Sequence, residues 1–324
     1  MKKILITGAC GFIGSHLTEM MIEKGYNVVA FDRYNSNNDY GWLNNSKYKK
    51  DIEFQLGDIR DFDSVYKVMK KVKTVFHLAA LIGIPYSYLS PLAYIKTNVE
   101  GTYNVLESSK ILNLENVVIT STSETYGSAM YTPMDEEHRL FGQSPYAASK
   151  ISADQVSLSY HNSFNTPIKI VRPFNVYGPR QSTRAIIPTI ICQLLRNSSK
   201  IYLGNLNTSR DYTYVSDTCE AFFQIYKSKK LIGEVINVGT NTNFTIKEIV
   251  NTITSEMILS PKIITDKERV RPVKSEVQKL QCDNNKLKNN TQWVQKNTFK
   301  RGITKTIKWF LKNKKFFDFR SYHV

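Results

Sequence analysis

Short apolar runs recur through the first half of the chain, each bounded by glycine or polar residues. Such runs predict buried parallel strands rather than strands with one face in water. The predicted strands cover residues 4–7, 27–31, 52–56, 75–80, 117–120 and 168–171, with a further strand at 233–239. Between them, apolar residues at helical spacing predict helices at 12–24, from about 62, at 91–112 and at 146–164. This order of elements predicts an α/β fold with a doubly wound parallel sheet.

The length of 324 residues favours two lobes rather than one. The first lobe is predicted at residues 1–175 with a return near 211–240, because the strand pattern reappears there. A smaller second lobe is predicted at 176–210 and about 241–324. The two lobes are therefore expected to be interleaved along the chain.

Three glycines, Gly8, Gly11 and Gly14, lie between the first predicted strand and the first predicted helix. At this place and spacing they allow backbone amides to approach a pyrophosphate at the helix N-terminus. Asp32 ends the second strand, where a carboxylate accepts hydrogen bonds from a ribose diol and repels a 2′-phosphate. The pattern favours NAD over NADP, although Arg33 beside it leaves NADP as the alternative.

A tyrosine and a lysine, Tyr146 and Lys150, are spaced to share one face of a predicted helix. Ser144 suits the N-cap of that helix and Pro145 its first turn. An ammonium beside a phenol favours the phenolate and is expected to lower its pKa. Tyr146 is therefore predicted to be a general base that takes a hydroxyl proton.

Polar side chains also follow other predicted strands. Thr122, Ser123 and Glu124 come after the fifth strand, where ligands bind in open parallel sheets. Asp58 follows the third strand and either contacts an adenine or caps the helix that begins near residue 62. His77, in the fourth strand, is interpreted as a core residue.

The composition, with 41% hydrophobic and 22% charged residues, is typical of a soluble globular protein. A net charge of +16 is compatible with binding to nucleic acid, to an acidic membrane or to a phosphorylated small molecule. The basic residues are spread along the chain, which favours solvated lysines, and only residues 308–320 form a local basic cluster. We expect neither a nucleic-acid nor a membrane partner.

The four cysteines and five histidines lie too far apart to predict a disulfide framework or a metal site. The N-terminal apolar run is too short for a signal peptide, and no segment approaches the ~18 apolar residues of a membrane span. These patterns predict a cytoplasmic protein without a metal.

Taken together, the motifs resemble those of the extended short-chain dehydrogenase/reductases of the nucleotide-sugar epimerase/dehydratase family. The resemblance covers residues 2–217 in unbroken order and is weaker at 269–283. Its matching stretches are residues 7–14, 58–59, 77–80, 98, 121–127, 146–150, 172–179 and 210–217.

The resemblance implies a tightly held NAD, a nucleoside-diphosphate sugar substrate and a homodimer that pairs through helices 91–112 and 146–164. The residues implied to bind the cofactor are Gly8, Gly11, Phe12, Ile13, Gly14, Asp32, Asp58, Ile59, Leu78, Ala79, Ala80, Asn98, Tyr146 and Lys150. Those implied to bind the substrate are Tyr86, Thr122, Asn175, Arg180, Arg210 and Arg271.

Three reactions are common in this family: C4 epimerisation, decarboxylation of a glucuronosyl sugar and 4,6-dehydration. In each, the resemblance implies that Tyr146 takes the O4 proton while Thr122 hydrogen-bonds O4 and hydride passes from C4 to NAD. A dehydratase also needs a base for the C5 hydrogen. Glu124 is predicted to be that base, because it lies two residues after Thr122 and hence on the same face of an extended chain.

The proton donor for the leaving C6 hydroxyl is left open by the sequence. Dehydratases of the family usually carry Asp where this chain has Ser123, whereas Thr-Ser-Glu also occurs in sugar decarboxylases. Either a relay through Ser123 or Glu124 itself, once protonated, is able to supply the proton.

Stretches at 81–88, 135–146 and 178–190 resemble the N-acetylhexosamine 4,6-dehydratases of the legionaminic-acid pathway. This resemblance implies a 4,6-dehydratase acting on a nucleotide-linked N-acetylglucosamine such as GDP-N-acetylglucosamine, while the sequence leaves the nucleoside open among GDP, UDP and dTDP. The alternatives are a C4 epimerase, a glucuronate decarboxylase and, from another class, a catalytically silent NAD-binding scaffold.

Overall fold

The computed structural model of the protein describes residues 3–266, 269 and 275–317. Within these ranges the strands are β1 Lys3–Thr7, β2 Asn27–Arg33, β3 Ile52–Gly57, β4 Thr74–His77, β5 Asn116–Thr120, β6 Ile168–Pro173, β7 Asn175–Tyr177, β8 Lys200–Leu203, β9 Ser209–Tyr214, β10 Val235–Val238, β11 Asn243–Thr245 and β12 Lys262–Thr265. Their α-helices are α1 Phe12–Glu23, α2 Phe62–Met69, α3 Ile84–Leu89, α4 Pro91–Tyr94, α5 Gly101–Ile111, α6 Pro145–Phe164, α7 Ile186–Arg196, α8 Val215–Lys227, α9 Ile246–Met257, α10 Asn285–Asn290 and α11 Phe299–Lys312.

Seven strands form one sheet in the order β10-β6-β5-β4-β1-β2-β3, and every neighbouring pair is parallel. The sheet is buried on both faces, since Ile4 and Ile6 pack into one apolar cluster and Leu5 into another. This is the doubly wound parallel sheet that the sequence predicts. The carboxyl ends of β5, β4, β1 and β2 meet at one edge, where open α/β sheets bind ligands.

Strand β10 is an edge strand of the seven-stranded sheet, so the chain pairs there with β6 of the predicted first lobe. The intervening and following segments form two smaller sheets, β11-β9-β7 and β12-β8. Strand β9 is the central strand of the first of these, and it carries Arg210 and Asp211. The Asp211 carboxylate accepts hydrogen bonds from the amides of Thr240 (2.8 Å) and Cys282 (3.2 Å), which fixes β9 to two loops.

Two differences from the predicted elements are larger than the others. Strand β4 ends at His77 and not at residue 80, because the amides of Leu78 and Ala79 donate to the Thr7 hydroxyl (both 3.2 Å). The predicted helix 91–112 is helical throughout residues 91–111, but Ile95–Glu100 is a π-helical segment. Such wider turns occur mostly at functional sites, and this one contains the buried Asn98.

The helices in the described ranges are too short or too polar to cross a membrane. Among the described residues there is also no cluster of three or more side chains suited to a metal ion.

Candidate active site

The loop between β1 and α1 is shaped by glycines. Gly8 has φ +67°, and a Cβ at Gly14 would collide with the Gly8 carbonyl oxygen. Gly11 is the N-cap of α1 and has no side chain that could cap the helix. No side chain therefore occupies the first backbone amides of the helix, at Phe12 and Ile13, and these amides remain available to a ligand. An uncapped helix N-terminus approached only by backbone is suited to a pyrophosphate.

Asp32, at the end of β2, lies directly beside this loop. Its Oδ2 accepts a hydrogen bond from the amide of Cys10 (2.8 Å), and its Oδ1 accepts one from the amide of Arg33 (2.8 Å). Each carboxylate oxygen has a second lone pair, so Asp32 retains the capacity to accept from a ribose diol.

Asn98 acts within the protein rather than at its surface. It is 1% exposed, and its amide donates to the Leu81 carbonyl (2.9 Å) and the Ser149 hydroxyl (3.0 Å). Its oxygen accepts from the Leu81 amide (2.8 Å). In this structure Asn98 therefore fixes the loop after β4, which includes the predicted cofactor residues Leu78, Ala79 and Ala80, to helix α6.

The proposal that Asp58 caps the helix near residue 62 is wrong, because the cap of α2 is Asp61, which accepts from the Asp63 amide (3.2 Å). Asp58 instead pairs with Arg60, whose guanidinium holds the pKa of that carboxyl below its usual range. Its predicted adenine contact stays a prediction. Its neighbour Ile59 is 8% exposed and lies among apolar core residues.

Helix α6 begins as predicted. The Ser144 hydroxyl accepts from the Ala147 amide (3.1 Å), and Pro145 occupies the first turn. Tyr146 and Lys150 are both buried, at 7% and 4% exposed. The Lys150 ammonium donates to the carbonyl of Thr120, the last residue of β5. The pair therefore lies against the carboxyl end of β5.

The predicted lowering of the Tyr146 pKa is wrong for this structure. Burial raises the pKa of Tyr146, and Glu124, Tyr94 and Asp154 raise it further, while a hydrogen bond with Thr122 opposes them. The Lys150 ammonium donates to the Thr120 carbonyl and not to the Tyr146 phenol. Burial also lowers the pKa of Lys150, and Asp154 opposes this effect.

The three residues after Ser121 adopt an extended-then-turn conformation. Thr122 is extended (φ −159°, ψ 149°), and its hydroxyl accepts from the Glu124 amide (3.3 Å) at the start of the 3₁₀ turn Ser123–Tyr126. Thr122 and Glu124 are partly exposed, whereas Ser123 between them is 2% exposed. Ser123 is therefore buried between two accessible neighbours. The chain turns at Ser123 and is not extended through Glu124, so a shared side for Thr122 and Glu124 stays a prediction.

Arg210, on β9, brings the second lobe to this site. Its Nε lies 4.0 Å from Glu124 Oε1, and its Nη2 lies 3.6 Å from Glu276 Oε1. All three side chains are largely buried. One guanidinium therefore faces two carboxyl groups at the mouth of the site.

The other predicted substrate residues are placed differently. Asn175 begins β7 and pairs in register with Tyr212 of β9. Arg180 (φ +70°) lies against α1, where its Nη2 bonds Glu19 (3.0 Å), and its Nη1 is buried without a hydrogen-bond partner among the described residues. Tyr86 is 40% exposed and contacts the ring of Tyr94. Arg271 lies outside the described residues.

Two neighbours of the site were not predicted. The Tyr94 ring meets the Tyr146 ring edge-on (centroids 6.2 Å apart), and its hydroxyl donates to the Gly83 carbonyl. Burial raises the pKa of Tyr94, whereas the positive charge of Arg184 lowers it, so the exposed Arg184 lies close enough to act on this wall. Tyr94 was not predicted because in sequence it resembles a core residue. Arg184 was not predicted because its position depends on how the loop after β7 folds.

His77 is a core residue, as predicted. It is 2% exposed, and its two ring nitrogens hydrogen-bond Thr7 (2.8 Å) and Thr102 (3.1 Å). Burial lowers its pKa to about 3. All four cysteines are free thiols, as the sequence predicts.

Comparison with known proteins shows what the chain is similar to. The family model described as GDP-mannose 4,6 dehydratase matches residues 5–306. A putative UDP-glucose 4-epimerase of Methanocaldococcus jannaschii is 32% identical over 96% of this chain and 99% of its own. A UDP-N-acetyl-alpha-D-glucosaminuronate decarboxylase of Bacillus cytotoxicus is 31% identical (95% and 98%), and the human dTDP-D-glucose 4,6-dehydratase is 30% identical (96% and 91%).

Solved structures give the same range of activities. A dTDP-glucose 4,6-dehydratase from Bacillus anthracis, in complex with NAD, is 29% identical with a TM-score of 0.85 and covers 97% of this chain and 98% of its own. A UDP-glucuronic acid 4-epimerase from Bacillus cereus, in complex with UDP-glucuronic acid and NAD, is 28% identical with a TM-score of 0.86 (96% and 99%). The chain therefore belongs to the GDP-mannose 4,6-dehydratase family of extended short-chain dehydrogenase/reductases, which contains nucleotide-sugar dehydratases and epimerases.

Proposed function

We propose that this protein is an NAD-dependent nucleotide-sugar 4,6-dehydratase that converts a nucleoside-diphosphate hexose, with N-acetylglucosamine as the proposed sugar, into its 4-keto-6-deoxy derivative. The observation that carries the proposal is the position of Glu124. Its carboxylate is partly exposed in the turn that begins after Thr122, and its negative charge raises the pKa of the Tyr146 phenol. A carboxylate beside the predicted O4 base is suited to remove the neighbouring C5 proton.

The cofactor site fits NAD. The Gly8 and Gly14 cradle leaves room only for backbone, the N-terminus of α1 has no side-chain cap, and Asp32 lies beside both. Bound NAD supplies a hydride acceptor for C4 and afterwards a hydride donor for C6. The predicted contacts of Lys150 with the nicotinamide ribose remain part of this proposal.

We expect NAD to bind at least about tenfold more tightly than NADP, because the Asp32 carboxylate repels a 2′-phosphate. Calorimetric titration of both cofactors tests this. The variant Asp32→Asn should reduce the preference, and the matched variant Arg33→Ala should leave it. Equal or tighter binding of NADP to the native protein would show that Arg33 controls the site.

The first step depends on residues that surround O4. Tyr146 accepts the O4 proton while the Thr122 hydroxyl keeps its hydrogen bond to the reacting oxygen. Because burial raises the pKa of Tyr146, a positive charge has to move closer to the phenol for it to act as a base near neutral pH. Lys150 is the buried cation on the same helix face, one turn away.

In the second step Glu124 removes the C5 proton of the 4-keto sugar and passes it to the C6 hydroxyl, which leaves as water. When hydride then reaches C6, C5 takes up a proton from solvent. This one-base route is favoured because Ser123, the alternative donor, is 2% exposed, whereas Glu124 is partly exposed. A buried neutral hydroxyl is also a weak acid for this task.

The charge around Glu124 favours a neutral hexose over a uronate. Arg210 is shared between Glu124 and Glu276, so carboxyl groups outnumber the guanidinium at this wall. A sugar carboxylate at C5 would be repelled there, whereas a CH₂OH group would not. The remaining donors of Arg210, with Asn175 and Arg271, are proposed to bind the diphosphate.

A second candidate function is supported by Arg184. This exposed cation near Tyr94 is suited to pair with the carboxylate of a uronic-acid sugar, as required of a decarboxylase or of a uronate epimerase. The Thr-Ser-Glu sequence is shared with such enzymes. The position of Glu124 favours the dehydratase over this alternative.

The experiment is incubation of the purified protein with UDP-, GDP- and dTDP-linked hexoses, N-acetylhexosamines and uronates, followed by mass spectrometry. Loss of one water supports the dehydratase. Loss of carbon dioxide identifies a decarboxylase, and an isomer of unchanged mass identifies an epimerase. No reaction with any sugar would favour the silent NAD-binding scaffold.

We also propose a homodimer that pairs through the helical stretch 91–111 and the end of α6. Large apolar side chains are exposed there: Leu92 (61%), Ile95 (53%), Tyr103 (44%), Ile111 (46%) and Phe164 (51%). Exposed apolar patches of this kind mark interaction sites.

Light scattering is expected to give twice the chain mass of 37.3 kDa at micromolar concentration. Ile95→Glu should shift the protein to monomer, because dimer formation would then bury a charged side chain in the interface. Ile258→Glu is the matched control, because Ile258 is 91% exposed at the end of α9. A native protein that stays monomeric would contradict the dimer.

A further inference from the structure

A buried ionic cluster lies directly behind the proposed catalytic residues. Asp154 is 0% exposed and lies on α6 one turn after Lys150 and two turns after Tyr146, on the same helix face. Its Oδ2 accepts from the Ser121 hydroxyl (2.6 Å) and from Arg172 Nη2 (2.8 Å). Arg172 itself is 2% exposed and lies over the Tyr126 ring.

Stability alone gives little reason for this cluster. Buried ion pairs are often no more stabilising than apolar side chains of the same volume. Here the second carboxylate oxygen, Asp154 Oδ1, is buried without a hydrogen-bond partner in the described part of the chain, which adds a cost. A buried, incompletely hydrogen-bonded carboxylate such as Asp154 requires an explanation, and we look for it in the adjacent site.

The cluster and Lys150 hold consecutive residues at the end of β5. Lys150 donates to the Thr120 carbonyl, and Asp154 accepts from the Ser121 hydroxyl. The Ser121 amide donates to the Val171 carbonyl (2.7 Å), which continues the register of β6. The next residue is Thr122. These hydrogen bonds therefore fix the backbone from which Thr122 and Glu124 extend.

We propose that Asp154 is a positioning residue of the active site, which holds the end of β5 through Ser121 and keeps the adjacent Lys150 in its ammonium form. The proposal rests on the proposed function for its kinetic part. Asp154 does not touch the substrate and acts through Lys150, Ser121 and Arg172.

Few charged or titratable groups act on Lys150 and Tyr146. Lys150 is influenced by Asp154 on its own helix, and its charge acts on His77 of β4. Tyr146 is influenced by Asp154, by Glu124 from the turn after β5 and by Tyr94 from α4. His77 stays neutral at ordinary pH. Asp154, which is also paired with Arg172, is therefore the anion that acts on Lys150.

The first test needs no substrate. Lysine labelled with ¹³C at Cε is followed by NMR against pH, and the Lys150 signal is assigned by its absence in Lys150→Met. In Asp154→Asn the Lys150 titration should move to lower pH by about one unit, because the nearest anion is lost. Asp154→Glu, which keeps the charge, should restore it.

Asp217→Asn is the matched control. Asp217 is also buried (2% exposed) and accepts backbone hydrogen bonds, from Lys296 and Asn297, away from the site. The Asp217→Asn variant should leave the Lys150 titration unchanged. If Asp154→Asn does not fold, the double variant Asp154→Asn/Arg172→Gln, which leaves no unpaired guanidinium, should shift the Lys150 titration in the same direction by a smaller amount, because a cation is removed together with the anion.

The kinetic test uses the sugar found active in the substrate survey. Both limbs of the pH profile of kcat/KM should move to lower pH in Asp154→Asn, because the pKa values of Tyr146 and Lys150 both fall. Ser121→Ala should lower kcat with the limbs unmoved, since it removes the anchor and keeps the charge.

An unchanged Lys150 titration in Asp154→Asn would overturn the proposal, and so would a loss of activity with unmoved limbs. A shifted titration in a protein that is inactive on every sugar would support the role of Asp154 and contradict the proposed function.

Discussion

Glu124→Gln is expected to separate the two halves of the reaction. The amide keeps the shape of the side chain but cannot take the C5 proton, while Tyr146, Lys150 and Thr122 remain to support oxidation at C4. The 4-keto sugar should therefore accumulate, with the absorbance of reduced nicotinamide, while water loss slows by ~10²–10⁴. Stopped-flow absorbance and mass spectrometry of quenched samples measure the two steps.

The chain offers a matched control in Glu276→Gln. Glu276 is the other carboxyl partner of Arg210, so this variant removes an equivalent charge without removing the proposed base. Its water loss should stay close to the native rate. A Glu124→Gln enzyme that releases the 4-keto-6-deoxy product at the native rate would rule out this carboxylate as the base.

Ser123→Ala distinguishes the two proton donors. On the one-base route the variant should keep most of its rate, since Ser123 is buried. If it stalls at the 4-keto stage, the relay through Ser123 is correct instead.

Tyr146→Phe is expected to lower the rate of C4 oxidation by a factor of ~10²–10⁴, because the acceptor of the O4 proton is lost. The affinity for NAD should stay almost native, because nothing else is removed. Lys150→Met should impair both oxidation and cofactor binding. Single-turnover absorbance and calorimetry with NAD give the two quantities.

Tyr94→Phe is the control for a lost phenol. The Tyr94 ring contacts Tyr146, but its hydroxyl is used for the Gly83 carbonyl, so oxidation should persist. Native turnover by Tyr146→Phe would contradict the assignment of the base.

Local rules were sufficient for the glycine loop and for the start of α6. Gly8, Gly14, Ser144 and Pro145 have roles that depend on backbone geometry within a few residues. The sheet was also predictable, because strands buried on both faces have continuous apolar sequences.

The chemistry within the site was less predictable, because it depends on partners distant in sequence. The Tyr–Lys spacing correctly places both side chains on one face, but it does not reveal that Lys150 bonds the Thr120 carbonyl. Burial then dominates the pKa of Tyr146. Asp154 was open to prediction, since it continues the same four-residue spacing, whereas its partner Arg172 is brought to it only by the sheet.

The fate of a hydrogen at C4 tests the central claim most directly. The active nucleotide sugar is prepared with deuterium at C4, and the product is analysed by NMR and mass spectrometry. We expect a 4-keto product that is one water lighter and carries the deuterium at C6, because the hydride removed from C4 is returned there. A product of unchanged mass with deuterium still at C4, or one that has lost carbon dioxide, would contradict it.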